Sequence, residues 1–197
     1  MKSLIFATKN QGKIKEIKEI LKDLPIQVQS LEEAGIDIEI EEDGMTFEAN
    51  AIKKAKTIME ITGNLVLADD SGLEVDYLDK KPGVYSARFG GPSATDEEKN
   101  QKILNLLQGV AEEKRTARFV CVIAAAFPRG EVITTRGTIE GIIAEKPSGE
   151  NGFGYDPIFY VPAYQCTTAE MVPEQKNAIS HRGKALQEMK QQLEQRI

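Results

Sequence analysis

A chain of 197 residues with 41% hydrophobic side chains is long enough to bury a sizeable core, and is read as one domain, residues 1–197, with two lobes. Its formal net charge of −6 at pH 7 excludes a broad electrostatic footprint on nucleic acid, so positive charge for any anionic ligand must be gathered locally. No apolar run reaches the ~18 residues of a membrane span, and Lys9 and Lys13 interrupt the early run that a secretory leader would use. The two cysteines, Cys121 in an apolar run and Cys166 in a polar one, make neither a disulfide framework nor a zinc site, and a soluble, cytoplasmic protein with unpaired thiols is expected.

In chain order, Leu4 to Ala7 reads as a strand and "TKNQGK" as a loop. Ile14, Ile17, Ile20, Leu21 and Leu24 then recur at helical spacing before Pro25, so the opening is strand, loop, helix. A second helix is predicted from Phe47 to Thr62, with Phe47, Ala51, Ala55, Ile58 and Met59 on its apolar face and Gly63 as its stop. The strand "LVLA" follows and runs straight into "DDSG". Thr95 with Glu98 makes a capping box for a third helix carrying Ile103, Leu104, Leu106 and Leu107. "ARFVCVIAAAF" and "EVITTRGTIEGIIAE" read as strands paired across the turn from Pro128 to Gly130, and a last helix uses Ala185, Leu186, Met189 and Leu193. The mixture is α/β, with antiparallel strands in the second half.

A strand, loop and helix in succession aim backbone N–H groups at whatever precedes the helix, where the helix dipole also favours negative charge. Gly12 permits close approach there, and Lys9 and Lys13 bring charge. The segment is not a P-loop, because the two-glycine spacing before Lys-Ser/Thr is missing. In "EIEEDGMTFEANAIKKA" the acids Glu41, Glu42 and Asp43 precede the second helix, on which Asn50 and Lys54 are four apart and share a face. The simpler reading is an acidic loop beside a solvated helical stripe. The chemical reading is a carboxylate that holds a hard cation while Asn50 and Lys54 face a phosphate; magnesium commonly uses one or two carboxylates plus substrate phosphate oxygens.

"LVLADDSG" supplies the further carboxylate. Consecutive aspartates point to opposite faces if the strand continues through them, so only one would face a given cleft. An Asp-Ser-Gly turn bonded to its own backbone is the alternative. Farther on, "SGENGFGYDP" sets Phe153 and Tyr155 among glycines, where an aromatic face can be offered to a flat ligand. "EQKNAISHRGKA" brings Lys176, the single histidine His181 and Arg182 together ahead of the last helix's apolar stripe. Taken separately, each of these last two segments also fits a surface turn.

Six segments in order, "ATKNQGK", "EEDGMTFEANAIKKA", "LADDSGLEVD", "PGVYSARFGG", "GFGYDPIF" and "AISHRGKAL", give the sequence a specific resemblance to the inosine triphosphate pyrophosphatase family, over nearly the whole chain. Lys9 departs from it, standing where many members carry a small residue. The resemblance implies an α/β fold with an elongated mixed β-sheet and flanking helices, two lobes around a central substrate cleft, and a homodimer. It implies hydrolysis of non-canonical purine triphosphates (ITP, dITP, XTP) to monophosphate and pyrophosphate with Mg²⁺.

Carried over by motif, Thr8, Lys9, Asn10, Gln11, Gly12 and Lys13 would bind the triphosphate, with Asn50 and Lys54 completing the phosphate side. Glu41 and Asp70 would hold Mg²⁺, Asp70 would also activate water, and Ser71 would touch substrate. Phe153, Gly154, Tyr155, Asp156, Lys176, His181 and Arg182 would surround base and sugar. Attack at the α-phosphorus needs chiefly positioning and charge neutralisation. Two alternatives remain at this stage: a pyrophosphatase for pyrimidine or modified nucleotides, and a non-catalytic nucleotide sensor.

Overall fold

The computed structural model describes residues 2–197. Two short parallel strands open the chain, β1 (Lys2–Phe6) and β2 (Ile26–Ser30), joined by helix α1 (Gln11–Ile20). Ten residues are fewer than the ~12–15 a helix needs to persist alone. Helix α1 is instead held by Ile14, Ile17 and Ile20, each worth roughly 1.5–3 kcal/mol on burial. Helix α2 (Phe47–Thr62) is capped by the Thr46 hydroxyl at one end and by Gly63 at the other. It leads into β3 (Leu65–Val75), which is parallel to β1.

The predicted strand "LVLA" therefore does not stop at the aspartates: β3 runs eleven residues, straight through Asp69, Asp70, Ser71 and Gly72. Next come β4 (Lys81–Pro82), antiparallel to β3, and α3 (Asp96–Leu106), which starts at the Thr95–Glu98 capping box. β5 (Thr116–Ala126) and β6 (Val132–Ile143) are neighbours joined by a tight turn, in which the Phe127 N–H donates to Glu131 O at 2.9 Å. β7 (Phe159–Val161) and β8 (Cys166–Thr167) continue antiparallel, and the C-terminal region is two helices, α4 (Pro173–Ile179) and α5 (His181–Glu194). The eight strands form one mixed sheet in the order β2-β1-β3-β5-β6-β7-β8, with β4 on β3, as expected of an α/β fold. No helix of the described residues is long and apolar enough to cross a membrane.

The chain divides into two compact units. Unit 1 comprises the chain up to Asp70, Cys121–Gly137 and Arg182–Ile197; unit 2 comprises Ser71–Val120 and Thr138–His181. In unit 1, α1 and α5 bury Ile14, Ile17, Ala185, Leu186, Met189 and Leu193 against Leu4, Phe6, Leu67, Cys121 and Ile123 of the sheet. Unit 2 has its own core, in which Leu73, Val75, Phe119, Ile139 and Phe159 meet Ile103 and Leu104 of α3 and its C-cap Leu107. Arg115 staples that unit, its buried guanidinium donating at 2.8 Å to the carbonyls of Leu107, Ile143 and Ala144.

Candidate active site

In unit 1 the site is built on the alternation of β3. Leu67 and Asp69 face the side covered by α1 and α5, and Asp70 falls on the opposite face, toward α2. Asp69 is fully buried, with the Lys13 ammonium at 2.9 Å and the Arg182 guanidinium at 3.6 Å. Burial alone would raise its pKa, but Lys13, Arg182 and Lys54 outweigh that and hold the carboxyl well below the usual range. Arg182, 2% exposed, is paired in turn with Glu16 of α1. Glu16 belongs to none of the motifs read from the sequence, although it lies three residues after Lys13 and so on the same helical face.

Asp70 behaves oppositely. Burial pushes its carboxyl up to about 6, against the hydrogen bond from Asn50, with the negative charge of Glu42 adding to the rise and Lys54 and Lys13 opposing it. The Asn50 side chain, 1% exposed, donates through Nδ2 to Asp70 Oδ2 at 2.9 Å and accepts the Gly44 N–H on Oδ1 at 2.7 Å. A Cβ at Gly44 would lie 2.5 Å from that Oδ1, which is why the turn before α2 needs glycine there. Asn50 thus orients Asp70, with both ends of its amide engaged by protein.

Lys54 is ion-paired with Glu42. Burial would lower its pKa, yet Asp69, Glu42 and Asp70 together raise it, so the ammonium stays charged. Glu41 is solvent-exposed, and Glu42 is the half-buried member of the pair whose charge reaches Asp70.

The opening loop ends at Asn10, whose side chain caps α1 by accepting the Lys13 N–H at 3.1 Å, while Thr8 Oγ1 accepts from Asn10 N–H at 3.2 Å. Gln11 and Gly12 therefore belong to the first helical turn, where backbone N–H groups have no partner within the helix. The Lys9 ammonium lies on exposed Asp37 at 3.0 Å, on a different contact from Lys13.

In unit 2 the predicted aromatic loop is ordered by Asp156. Its Oδ2 accepts from the Phe153 N–H at 3.0 Å and from the Lys176 ammonium at 2.7 Å, and its Oδ1 accepts from the Thr168 hydroxyl at 2.8 Å. Lys176 Nζ also sits 4.8 Å from the centroid of the half-buried Phe153 ring, a cation–π distance. Tyr155 is buried, its hydroxyl donating to Ser86 O at 2.6 Å, whereas Phe153 is half-buried. His181 is buried and stacks on Phe119 with ring centroids 4.8 Å apart. Adjacent in sequence, His181 and Arg182 belong to different units, while Lys176 and Asp156 both contact Phe153. Ser71 is half-buried on β3 immediately after Asp70.

For a metal, the donor set decides what fits. Among the described residues no three carboxylate, histidine or cysteine side chains come together as a resident metal site. Asp70 with the 41–42 acids is nonetheless the sparse, all-oxygen set that suits magnesium arriving with a phosphate ligand, since Mg²⁺ keeps waters and needs only one or two carboxylates.

In unit 1 a carboxylate of raised proton affinity stands among lysines on an α/β sheet, an arrangement that defines an enzyme acting on anionic ligands. The chain belongs to the Ham1 family, whose model matches residues 4–192. It is 51% identical over 199 residues to a dITP/XTP pyrophosphatase of Clostridium perfringens, covering 98% of each chain, and 57% identical over 183 residues to a dITP/XTP pyrophosphatase of Desulforamulus reducens, covering 93% of this chain and 91% of that one. Among solved structures, a HAM1 protein from Coxiella burnetii superposes with a TM-score of 0.90 at 45% identity, over 99% of this chain and all of that one. The Staphylococcus aureus Ham1 protein gives 0.89 at 44% identity, over the whole of both chains.

Proposed function

We propose that this protein hydrolyses non-canonical purine nucleoside triphosphates, dITP, ITP and XTP, to the monophosphate and pyrophosphate. The observation that carries the reading is Asp70: a strand-borne carboxylate with a pKa near 6, oriented by Asn50 and set among Lys54 and Lys13. A general base works best with a pKa close to the operating pH, and this one can take a proton from water without being permanently neutral. The first-turn N–H groups of α1, with Lys13 and Lys54, take the triphosphate and neutralise charge as the α-phosphorus is attacked. Asp69 and Glu16 hold Lys13 and Arg182 in place for that work.

Magnesium, when bound with the nucleotide, supplies further neutralisation of phosphate charge; Asp70 with Glu42 or Glu41 would hold it. The base is taken by Phe153, with Lys176 as donor and Asp156 as acceptor at its edge. A donor that meets the six-position oxygen of hypoxanthine or xanthine faces an amino group in adenine, and a site built for one such group rejects the other by up to ~10⁴-fold. The same reading carries a homodimer in solution, which sedimentation measures directly.

Assay of ITP, dITP, XTP and ATP under one set of conditions, with products identified, tests the proposal. Pyrophosphate and monophosphate are expected, with ATP turned over far more slowly and chelator abolishing activity. Release of orthophosphate and diphosphate, or equal turnover of ITP and ATP, would overturn it.

A further inference from the structure

The loop that carries Phe153 is gripped from outside by α3. Gly154, in a left-handed conformation with φ +63° that a side chain would strain, has both of its peptide groups taken by that helix. Its N–H donates to Asp96 Oδ2 at 2.7 Å, and its carbonyl accepts from Asn100 Nδ2 at 3.1 Å. Asp96 and Asn100 are four residues apart, hence on one helical face, and the Thr95–Glu98 capping box fixes the turn from which Asp96 projects. From inside, the Phe153 N–H is held by Asp156. The ring is thereby fixed between two independent sets of hydrogen bonds, one residue apart.

Asn100 is a costly choice at its position. It is 3% exposed, and its Oδ1 is desolvated with no hydrogen-bond partner. The amide cannot turn over to relieve this, because its oxygen would then face the Gly154 carbonyl. What the residue gains is the single bond from Nδ2 to the loop.

We infer that Asp96 and Asn100 are positioning residues for base selection, acting through Gly154 to set the plane and depth of the Phe153 ring. The inference rests on the assignment of the base to Phe153. A misplacement of about 1 Å in a positioned group can cost ~10²-fold, and loss of one of two tethers should move the ring by less.

The test uses Asn100→Leu, Asp96→Ala and Asp96→Asn in the full-length protein, with Phe153→Ala as reference. Asn100→Leu should leave the melting temperature nearly unchanged, because removing the unpartnered Oδ1 at similar volume offsets the donor lost to the Gly154 carbonyl. It should also raise KM for ITP about tenfold with kcat within about twofold, and lower the ITP-to-ATP ratio of kcat/KM about tenfold. Asp96→Ala should act in the same direction and Asp96→Asn should restore the ratio, since an amide oxygen still accepts the Gly154 N–H. Both Asp96 variants lose the ion pair to Lys99 at 3.0 Å, so their difference reads the Gly154 bond alone. Inhibition by inorganic tripolyphosphate, which has no base, should be unchanged in all of them.

Unchanged KM and ratio in Asn100→Leu and Asp96→Ala, alongside a lowered ratio in Phe153→Ala, would overturn the positioning role and leave the base assignment standing. The same result with Phe153→Ala also silent would remove the base assignment and this inference together. Tripolyphosphate inhibition that weakens in step with KM would likewise overturn it. Asp96 is exposed, so its variants decide the question even if Asn100→Leu does not fold.

Discussion

The two units solve different problems with the same residue types. In unit 1, Lys13, Lys54 and Arg182 meet Glu16, Glu42, Asp69 and Asp70, so that every charge leans on several others and neighbouring carboxylates are driven in opposite directions. In unit 2 the buried pair Asp156 and Lys176 is joined by neutral donors, the Phe153 N–H and the Thr168 hydroxyl, beside an aromatic ring. On the proposed function, a polyphosphate with charge in many orientations would meet Lys13, Lys54 and Arg182, cations already held in place by carboxylates, and a flat base with a few edge groups would meet fixed geometry. Substitutions in unit 1 should therefore act through ionisation, and those in unit 2 through placement.

The largest effect expected is at Asp70. Asp70→Asn keeps the shape and the Asn50 contact but removes the base, and turnover of ITP should fall by roughly 10²–10⁴-fold while nucleotide binding persists. Single-turnover kinetics beside equilibrium binding separates the two, and near-normal turnover would remove Asp70 from the chemistry.

Next comes Arg182. Stripping one partner from a buried network leaves charges uncompensated, and Arg182→Ala should cost about 3–5 kcal/mol in urea unfolding because Asp69 and Glu16 lose their shared cation. A well-folded Arg182→Ala protein whose only defect is base selectivity would instead move Arg182 into the base-reading group.

The third prediction concerns pH in chelator-treated protein. Asp70 has a folded pKa of about 6 against an ordinary value of 3.8, so between those values the unfolded chain releases a proton that the folded chain keeps. Stability should therefore fall as pH rises from about 4 to 6, by at most about 3 kcal/mol, and this slope should vanish in Asp70→Asn. Asp69 has the opposite sign: its depressed pKa contributes stability above the ordinary carboxylate range that is lost on acidification below about pH 4. Urea midpoints across pH 3 to 7, on both proteins, separate the two windows.

The smallest effects belong to unit 2. Phe153→Ala should weaken ITP binding by roughly 1–3 kcal/mol, the worth of stacking one base, with tripolyphosphate inhibition untouched. Tyr155→Phe should cost about 1 kcal/mol of stability through the lost bond to Ser86 O and leave KM alone. A Tyr155→Phe protein with altered KM would return Tyr155 to the ligand surface.

Elements whose signals are local were legible in the amino-acid sequence. Helix α2 begins and ends where Thr46, Phe47 and Gly63 place it, the Thr95–Glu98 box starts α3, and the β5–β6 turn falls at Pro128 to Gly130, because caps, helical period and turn residues act over a few positions. The chemistry-bearing segments were legible for the same reason: acids at an apolar strand, lysines at a helix start, aromatics among glycines. Which side chain meets which was set by the packing of distant segments. β2, β7 and β8 are too short for a period to register and exist through pairing with their neighbours. β3 continues through Asp69 and Asp70, so adjacent residues of one type, separated by the pleat, meet opposite surroundings. Asn50 turns to Asp70, Tyr155 to Ser86, and His181 and Arg182 part into different units, because hydrogen-bond and ion-pair partners come from residues tens of positions away. Local spacing carries no information about which of them will arrive.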